Sequence, residues 1–182
     1  MNSWNAVARA LGCACLVAVS AAGAAEQTDA RKLAIVYRMY TEYKQDFPGV
    51  ADISPREAMA LDRENRALFV DIRDPAEMEV SRLPGAVTGE AFLKDIRRYD
   101  GRTVIVYCTI SYRSGKFAEE LAGKGVAVRN LRGGILAWVL EGGKVYDAKG
   151  ESRRIHVYGE KWNYPAEGYE AVWYGFWDRF RK

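Results

Sequence analysis

Apolar positions along this chain switch repeatedly between helical spacing and short unbroken runs. From Arg31 to Phe47, the residues Leu33, Val36, Tyr37, Tyr40, Tyr43 and Phe47 recur at the spacing of one helix face, and Pro48-Gly49 closes that segment. Ile53-Ser54-Pro55 reads as a short extended piece followed by a helix through Ala58 and Leu61, with Ser54 as N-cap and Pro55 at the first helical position. Ala67 to Ile72 is a continuous apolar strand of the kind covered on both faces, and Asp74 is placed to cap a helix through Glu77 and Met78. Leu83-Pro84-Gly85-Ala86-Val87 turns into a short strand, and Glu90 to Arg98 is helical again. Thr103 to Tyr107 is a strand and Ser114 to Lys124 a helix stopped by Gly125. Val126 to Leu131 is the next strand, and after Gly133-Gly134 comes a helix from Ile135 to Glu141. This alternation predicts an α/β fold with a central, mostly parallel sheet and helices on both faces.

The first residues follow a different pattern. Ala10 to Ala22 is apolar or small, and Ala22-Gly23-Ala24 has the form of an A-x-A cleavage site, so residues 1–25 are expected to be a signal peptide removed after Ala24 or Ala25. The apolar core is short for a membrane-spanning helix, which needs about 20 residues. A periplasmic or secreted protein is therefore expected, without stable membrane insertion once the signal is gone. Cys13 and Cys15 would leave with that segment, and the mature chain would keep Cys108 alone, with no internal disulfide.

Charge adds little direction. Lys and Arg number 27 against 24 Asp and Glu, which leaves the chain near neutrality. There is no basic block, no phosphate loop and no paired cysteine motif, so nucleic-acid binding, nucleotide binding and a zinc site find no support; no metal or cofactor is expected. The single histidine, His156, sits among Arg153, Arg154 and Tyr158, where a solvated or structural role is the ordinary reading.

Cys108 carries the chemistry. It ends the Thr103–Tyr107 strand and opens the loop Cys108-Thr109-Ile110-Ser111-Tyr112-Arg113-Ser114, which runs into a helix. At such a turn successive backbone N–H groups can converge on one point, the helix N-terminus adds partial positive charge, and a nearby arginine favours a thiolate. A buried structural thiol is the plainer alternative, but it gains nothing from an arginine at the far end of the loop.

Four segments in order resemble the rhodanese family. These are Leu68-Phe69-Val70-Asp71-Ile72-Arg73-Asp74-Pro75-Ala76-Glu77, Ser81-Arg82-Leu83-Pro84-Gly85-Ala86-Val87, Tyr107-Cys108 through Arg113-Ser114, and Leu131-Arg132-Gly133-Gly134-Ile135-Leu136-Ala137-Trp138. The likeness implies a rhodanese-like domain over residues 51–147. A helical extension (residues 26–50) would precede it and an aromatic extension (residues 148–182) follow it. The resemblance also implies a sulfurtransferase, with Cys108 taking sulfur from a sulfane donor such as thiosulfate and passing it to a thiol or a protein acceptor. The amides of Thr109, Ile110, Ser111, Tyr112, Arg113 and Ser114 would cradle the persulfide. Arg113 would either orient an anionic donor or hold the loop, and Asp71 and Arg73 would brace the loop from the neighbouring strand. Two features depart from the family: Ser111 stands where glycine is frequent, and Thr109, Ile110 and Tyr112 form an apolar rim without lysine.

Two other readings remain open. A non-catalytic module that binds a partner is one, and phosphatase or arsenate reductase chemistry on a cysteine loop ending in arginine is the other, although the four residues between Cys108 and Arg113 make a small anion pocket. In the last stretch Tyr169, Trp173, Phe176 and Phe180 fall at helical spacing and predict an aromatic C-terminal helix. That helix would pack on the domain or against the Arg31–Phe47 helix, or else dock a protein partner.

Overall fold

In a computed structural model, which describes residues 20–99 and 101–173 and side chains from Asp29 onward, the alternating signals become a five-stranded sheet. Its strands are β1 (Asp52–Ile53), β2 (Ala67–Asp71), β3 (Val87–Thr88), β4 (Thr103–Tyr107) and β5 (Arg129–Leu131). They lie in the order β1-β5-β4-β2-β3, and every pairing is parallel. The helices are α1 (Ser20–Tyr43), α2 (Pro55–Arg63), α3 (Pro75–Val80), α4 (Gly89–Lys94), α5 (Tyr112–Gly123) and α6 (Gly134–Leu140).

The unbroken apolar runs of β2 and β4 follow from burial on both faces. Phe69, Ile105 and Tyr107 enter a cluster with Ala58 of α2 and with Ile135, Leu136 and Trp138 of α6. Leu68, Val70 and Val106 point the other way, into a cluster with Phe92 of α4 and Ala118 and Leu121 of α5. Alternate residues of one strand thus serve two cores.

Local signals set the helix ends. The Ser54 hydroxyl accepts from the Glu57 amide at 3.2 Å while the Glu57 carboxylate accepts from the Ser54 amide at 3.0 Å, a reciprocal cap that starts α2. At the end of α5, Gly125 takes a φ of 76°. Its N–H reaches the Ala122 carbonyl at 3.0 Å, and the Val126 N–H reaches that of Leu121 at 2.9 Å. This left-handed cap keeps Val126 bound to the helix, so β5 begins at Arg129 rather than at Val126.

The N-terminal helix and the turn that follows it are built into the core. Val36 enters the first cluster, Tyr40 and Phe47 the second, and the Tyr40 hydroxyl donates to Asp52 Oδ1 at 2.6 Å. Phe47 lies flush on α5 at Gly115, where a Cβ would stand 2.3 Å from the ring. Burying that ring stabilises the fold by about 2–3 kcal/mol.

Beyond the sheet, β6 (Val145–Asp147) and β7 (Gly150–Ser152) form an antiparallel hairpin. The strand β8 (Arg154–His156) then pairs in parallel with β9 (Glu170–Val172). This corrects the expected aromatic helix over its described part: Tyr169 precedes a strand and Trp173 follows it. Residues four apart also share a strand face, so Tyr169 and Trp173 satisfy both periods, and the Glu170 N–H closes onto the Arg153 carbonyl at 2.7 Å. Phe176 and Phe180 lie outside the described residues, as do Cys13, Cys15 and the apolar core of the expected signal segment up to residue 19. Among the described residues no helix is long and apolar enough to cross a membrane.

Candidate active site

β4 runs through the middle of the sheet and delivers Cys108 at its C-terminal end, where open parallel sheets place their ligands. Cys108 is almost wholly buried, and its Sγ accepts the Ser111 N–H at 3.2 Å. Helix α5 starts at once, with Tyr112. The amides of Tyr112, Arg113 and Ser114 therefore belong to a first turn that lacks intrahelical acceptors, next to the thiol.

The loop carbonyls are turned away by α6. The Ile135 N–H donates to the Cys108 carbonyl at 3.0 Å and the Leu136 N–H to that of Thr109 at 3.3 Å. This approach requires glycine at 134: φ is 62°, and a Cβ would lie 2.4 Å from the Cys108 oxygen.

Ser111 occupies the left-handed region, with φ 73° and ψ 16°, a conformation glycine adopts freely and serine does not. Its hydroxyl donates to the Leu131 carbonyl, away from the thiol, and its own carbonyl accepts from Asn130 Nδ2 at 3.0 Å. Ser114 also turns to Asn130, donating to Oδ1 at 2.7 Å. The side chains of Ser111 and Ser114 thus fix the loop to β5, whereas Thr109, Ile110, Tyr112 and Arg113 line a pocket beside Cys108.

Arg113 has a partner that the sequence did not disclose. Its Nη1 donates to Glu77 Oε2 at 2.7 Å and its Nη2 to Oε1 at 2.8 Å, a bidentate pair joining α5 to α3. Thr109 Oγ1 lies 3.3 Å from the same carboxylate. His156 brings Nδ1 within 3.3 Å of Glu77 Oε1 and within 3.2 Å of the Tyr158 amide. With a proton on Nδ1 the imidazole donates to Glu77, and with Nδ1 bare it accepts from Tyr158. Burial by itself would raise the Glu77 pKa, but hydrogen bonds from His156 and Arg113 and the charge of Arg113 outweigh it and hold the carboxyl far below the usual range.

Asp71 and Arg73 form a fully buried pair at 2.7 Å, as a structural reading of the two would have it. Their bonds go elsewhere than expected. The Tyr107 hydroxyl donates to Asp71 Oδ2 at 2.6 Å and accepts the Leu83 N–H at 3.1 Å, and Arg73 Nη2 donates to the Ser81 carbonyl at 2.7 Å. The pair therefore secures the residue before Cys108 and the Ser81–Leu83 segment rather than residues 109–114.

The pocket beside Cys108, about 210 Å³, is completed by Tyr158 and Trp162 from the C-terminal extension. Tyr158 covers the Arg113 guanidinium at 4.8 Å and stacks edge-on with Trp162 at 5.6 Å. The N-terminal helix supports this wall. Trp162 Nε1 donates to the Tyr43 hydroxyl at 3.3 Å, and the Tyr43 ring stands 5.3 Å from that of Tyr112. Farther along, Lys32 donates to the Pro165 carbonyl at 2.8 Å and Asp29 accepts from the Glu167 amide at 3.0 Å. The described part of the aromatic extension thus packs against both the domain and α1. Glu77, His156, Tyr158 and Trp162 were not singled out as site residues from the sequence; the visible trace of Glu77 was its place three residues after the capping Asp74.

Comparison with known proteins adds an independent line. Residues 54–141 match the family model described as the rhodanese-like domain. A sulfurtransferase of Allochromatium vinosum is 39% identical over 79 residues, covering 41% of this chain and 74% of that protein. An uncharacterized protein of Synechocystis is 29% identical over 90 residues, or 47% of this chain, which spans only 50% of that relative's length. The crystal structure of a thiosulfate sulfurtransferase from Pseudomonas aeruginosa shares the fold, with a TM-score of 0.52 at 21% identity over 62% of this chain and 23% of that one.

Proposed function

The chain belongs to the rhodanese-like domain family, and from that premise we propose that it is a sulfurtransferase or persulfide carrier acting through Cys108. The thiolate attacks the terminal sulfur of a sulfane donor, the bond between that sulfur and the rest of the donor breaks, and the electron pair leaves with the departing group. Cys108 then carries a perthiolate. A thiol or other acceptor nucleophile attacks its outer sulfur and returns the thiolate, completing a double displacement.

The observation that carries this reading is the Ser111 N–H set 3.2 Å from Cys108 Sγ at the start of α5. A backbone donor and a helix N-terminus stabilise negative charge on sulfur in both the thiolate and the perthiolate. Phosphatase chemistry finds less support, because the guanidinium nitrogens it would turn toward a phosphoryl group face Glu77. Intact-mass measurement after treatment with a sulfane donor should show a single added sulfur on Cys108. Cys108→Ser should show none while melting at a similar temperature. Sulfur gain by the serine variant would overturn the mechanism, and failure of the parent protein to load from several donors would favour a partner-binding module.

A further inference from the structure

Glu77, Tyr158 and Trp162 together decide what the Cys108 pocket can hold. Arg113 is the cation among its lining residues, yet its Nη atoms are paired with Glu77, its face is covered by Tyr158, and Asp74 stands 3.8 Å away. Lys161, on the same segment as Trp162, lies over the Tyr43 and Trp162 rings at 5.7 and 5.5 Å. The remaining wall is Thr109, whose hydroxyl turns to Glu77 at 3.3 Å, with Ile110, Tyr112, Tyr158 and Trp162. A small dianion entering here exchanges its hydration for ring faces, which carry the negative side of the aromatic quadrupole. An apolar group loses nothing by the same exchange. The volume of about 210 Å³ lies below the roughly 300–1,000 Å³ of sites for drug-sized ligands and suits a body the size of one ring.

Tyr158 is held for this position. It adopts a φ of 63°, an uncommon conformation for a bulky residue outside a functional or strained site. Its amide lies against His156, its ring against Arg113 and Trp162.

We propose, on the sulfur-transfer reading above, that this pocket selects sulfane donors by an apolar body attached to the transferred sulfur, aromatic bodies above all, and discriminates against thiosulfate. The anionic terminal sulfur faces Cys108 and the loop amides, and the body faces Tyr158 and Trp162. Transfer from an organic thiosulfonate is balanced without a further reactant. The thiolate forms a bond to the terminal sulfur, the bond from that sulfur to the sulfonyl sulfur breaks, and a sulfinate departs with the electron pair.

The test compares thiosulfate, methanethiosulfonate and benzenethiosulfonate, which deliver the same terminal sulfur on three different bodies. Rates of single-sulfur gain on Cys108, read by intact mass, are divided by the rates of the same donors with a small free thiol, which removes intrinsic reactivity. The benzene donor should exceed the methane donor by at least about tenfold, the scale set by burying a ring in place of a methyl group, with thiosulfate slowest. Trp162→Ala should bring the aromatic preference to within about threefold, and Trp162→Phe should keep most of it, on the same area argument. Normalised loading by thiosulfate equal to that by the benzene donor overturns the inference and leaves sulfur transfer standing. No loading from any of the three overturns the sulfur-transfer reading itself. The ratio in the parent protein decides the matter even where a variant fails to fold.

Discussion

Glu77 and Arg113 meet as a two-bond pair, with donor–acceptor distances of 2.7 and 2.8 Å, across thirty-six positions of sequence. One partner lies in the first turn of the short helix after β2, and the other sits in the first turn after the cysteine loop. The pair ties the loop to the neighbouring strand connection, and it also neutralises the charge that the loop would otherwise present to a ligand.

Acid should loosen this tie. The folded-state pKa of Glu77 lies below that of an unfolded glutamate, about 4.3, so its contribution is complete above that pH and is lost as pH falls toward the folded value. Glu77→Gln should lower stability near neutrality by about 2 kcal/mol, since the amide keeps the shape but not the charge. Urea midpoints measured from about pH 6 to about pH 3 should fall more steeply for the parent than for Glu77→Gln. Parallel curves would assign the acid sensitivity to other carboxylates.

Ser111 sets two opposing effects against each other. Glycine relieves a left-handed strain of about 1 kcal/mol but removes the hydroxyl bond to Leu131 and loosens the unfolded chain. Alanine removes the bond and keeps the strain. Ser111→Ala should therefore be the less stable variant, by about 1 kcal/mol relative to Ser111→Gly, and calorimetric melting of the two checks the order. A slower sulfur loading by Ser111→Gly at unchanged stability would mean that the hydroxyl serves the reaction after all.

Gly134→Ala should be the most damaging single methyl group near the site. A Cβ there would lie 2.4 Å from the Cys108 oxygen and 2.6 Å from that of Thr109, in a backbone conformation unfavourable to alanine. A loss of about 2–4 kcal/mol is expected, with sulfur loading falling because the loop is displaced. Retention of both would show that α6 can retreat without moving Cys108.

The expected signal peptide makes its own prediction. N-terminal sequencing of the protein recovered outside the cytoplasm should begin at Ala25 or Glu26. An intact Met1 on a membrane-associated form would instead indicate a retained anchor.

The features legible in the sequence are those whose causes lie close together along it. Ser54 before Pro55 marked a helix start, the apolar run at Ala67 marked a strand buried on two faces, and Cys108 to Arg113 declared a loop because strand, cysteine and helix follow one another directly. Ser111, which stands where the family frequently has glycine, takes a positive φ. What escaped depends on long-range pairing. Glu77 read as a residue of the helix capped by Asp74 until α5 brought Arg113 to it, and His156 became buried through β8 and its partner β9. The aromatic spacing at Tyr169 and Trp173 fitted a helix and a strand equally, and the backbone bond from Glu170 to Arg153, not periodicity, decided between them.

The clasp between α1 and the segment from Tyr158 to Glu167 separates the wall of the pocket from the cysteine loop. The backbone of the Cys108 loop is held by α6 and β5, whereas the wall opposite it comes from Tyr158 and Trp162 and leans on Tyr43. Substitutions at Tyr158 or Trp162 can therefore remodel the pocket while leaving those backbone contacts of the loop in place. A lineage carrying this arrangement can drift in the compounds it handles while its reactive centre stays under constant selection.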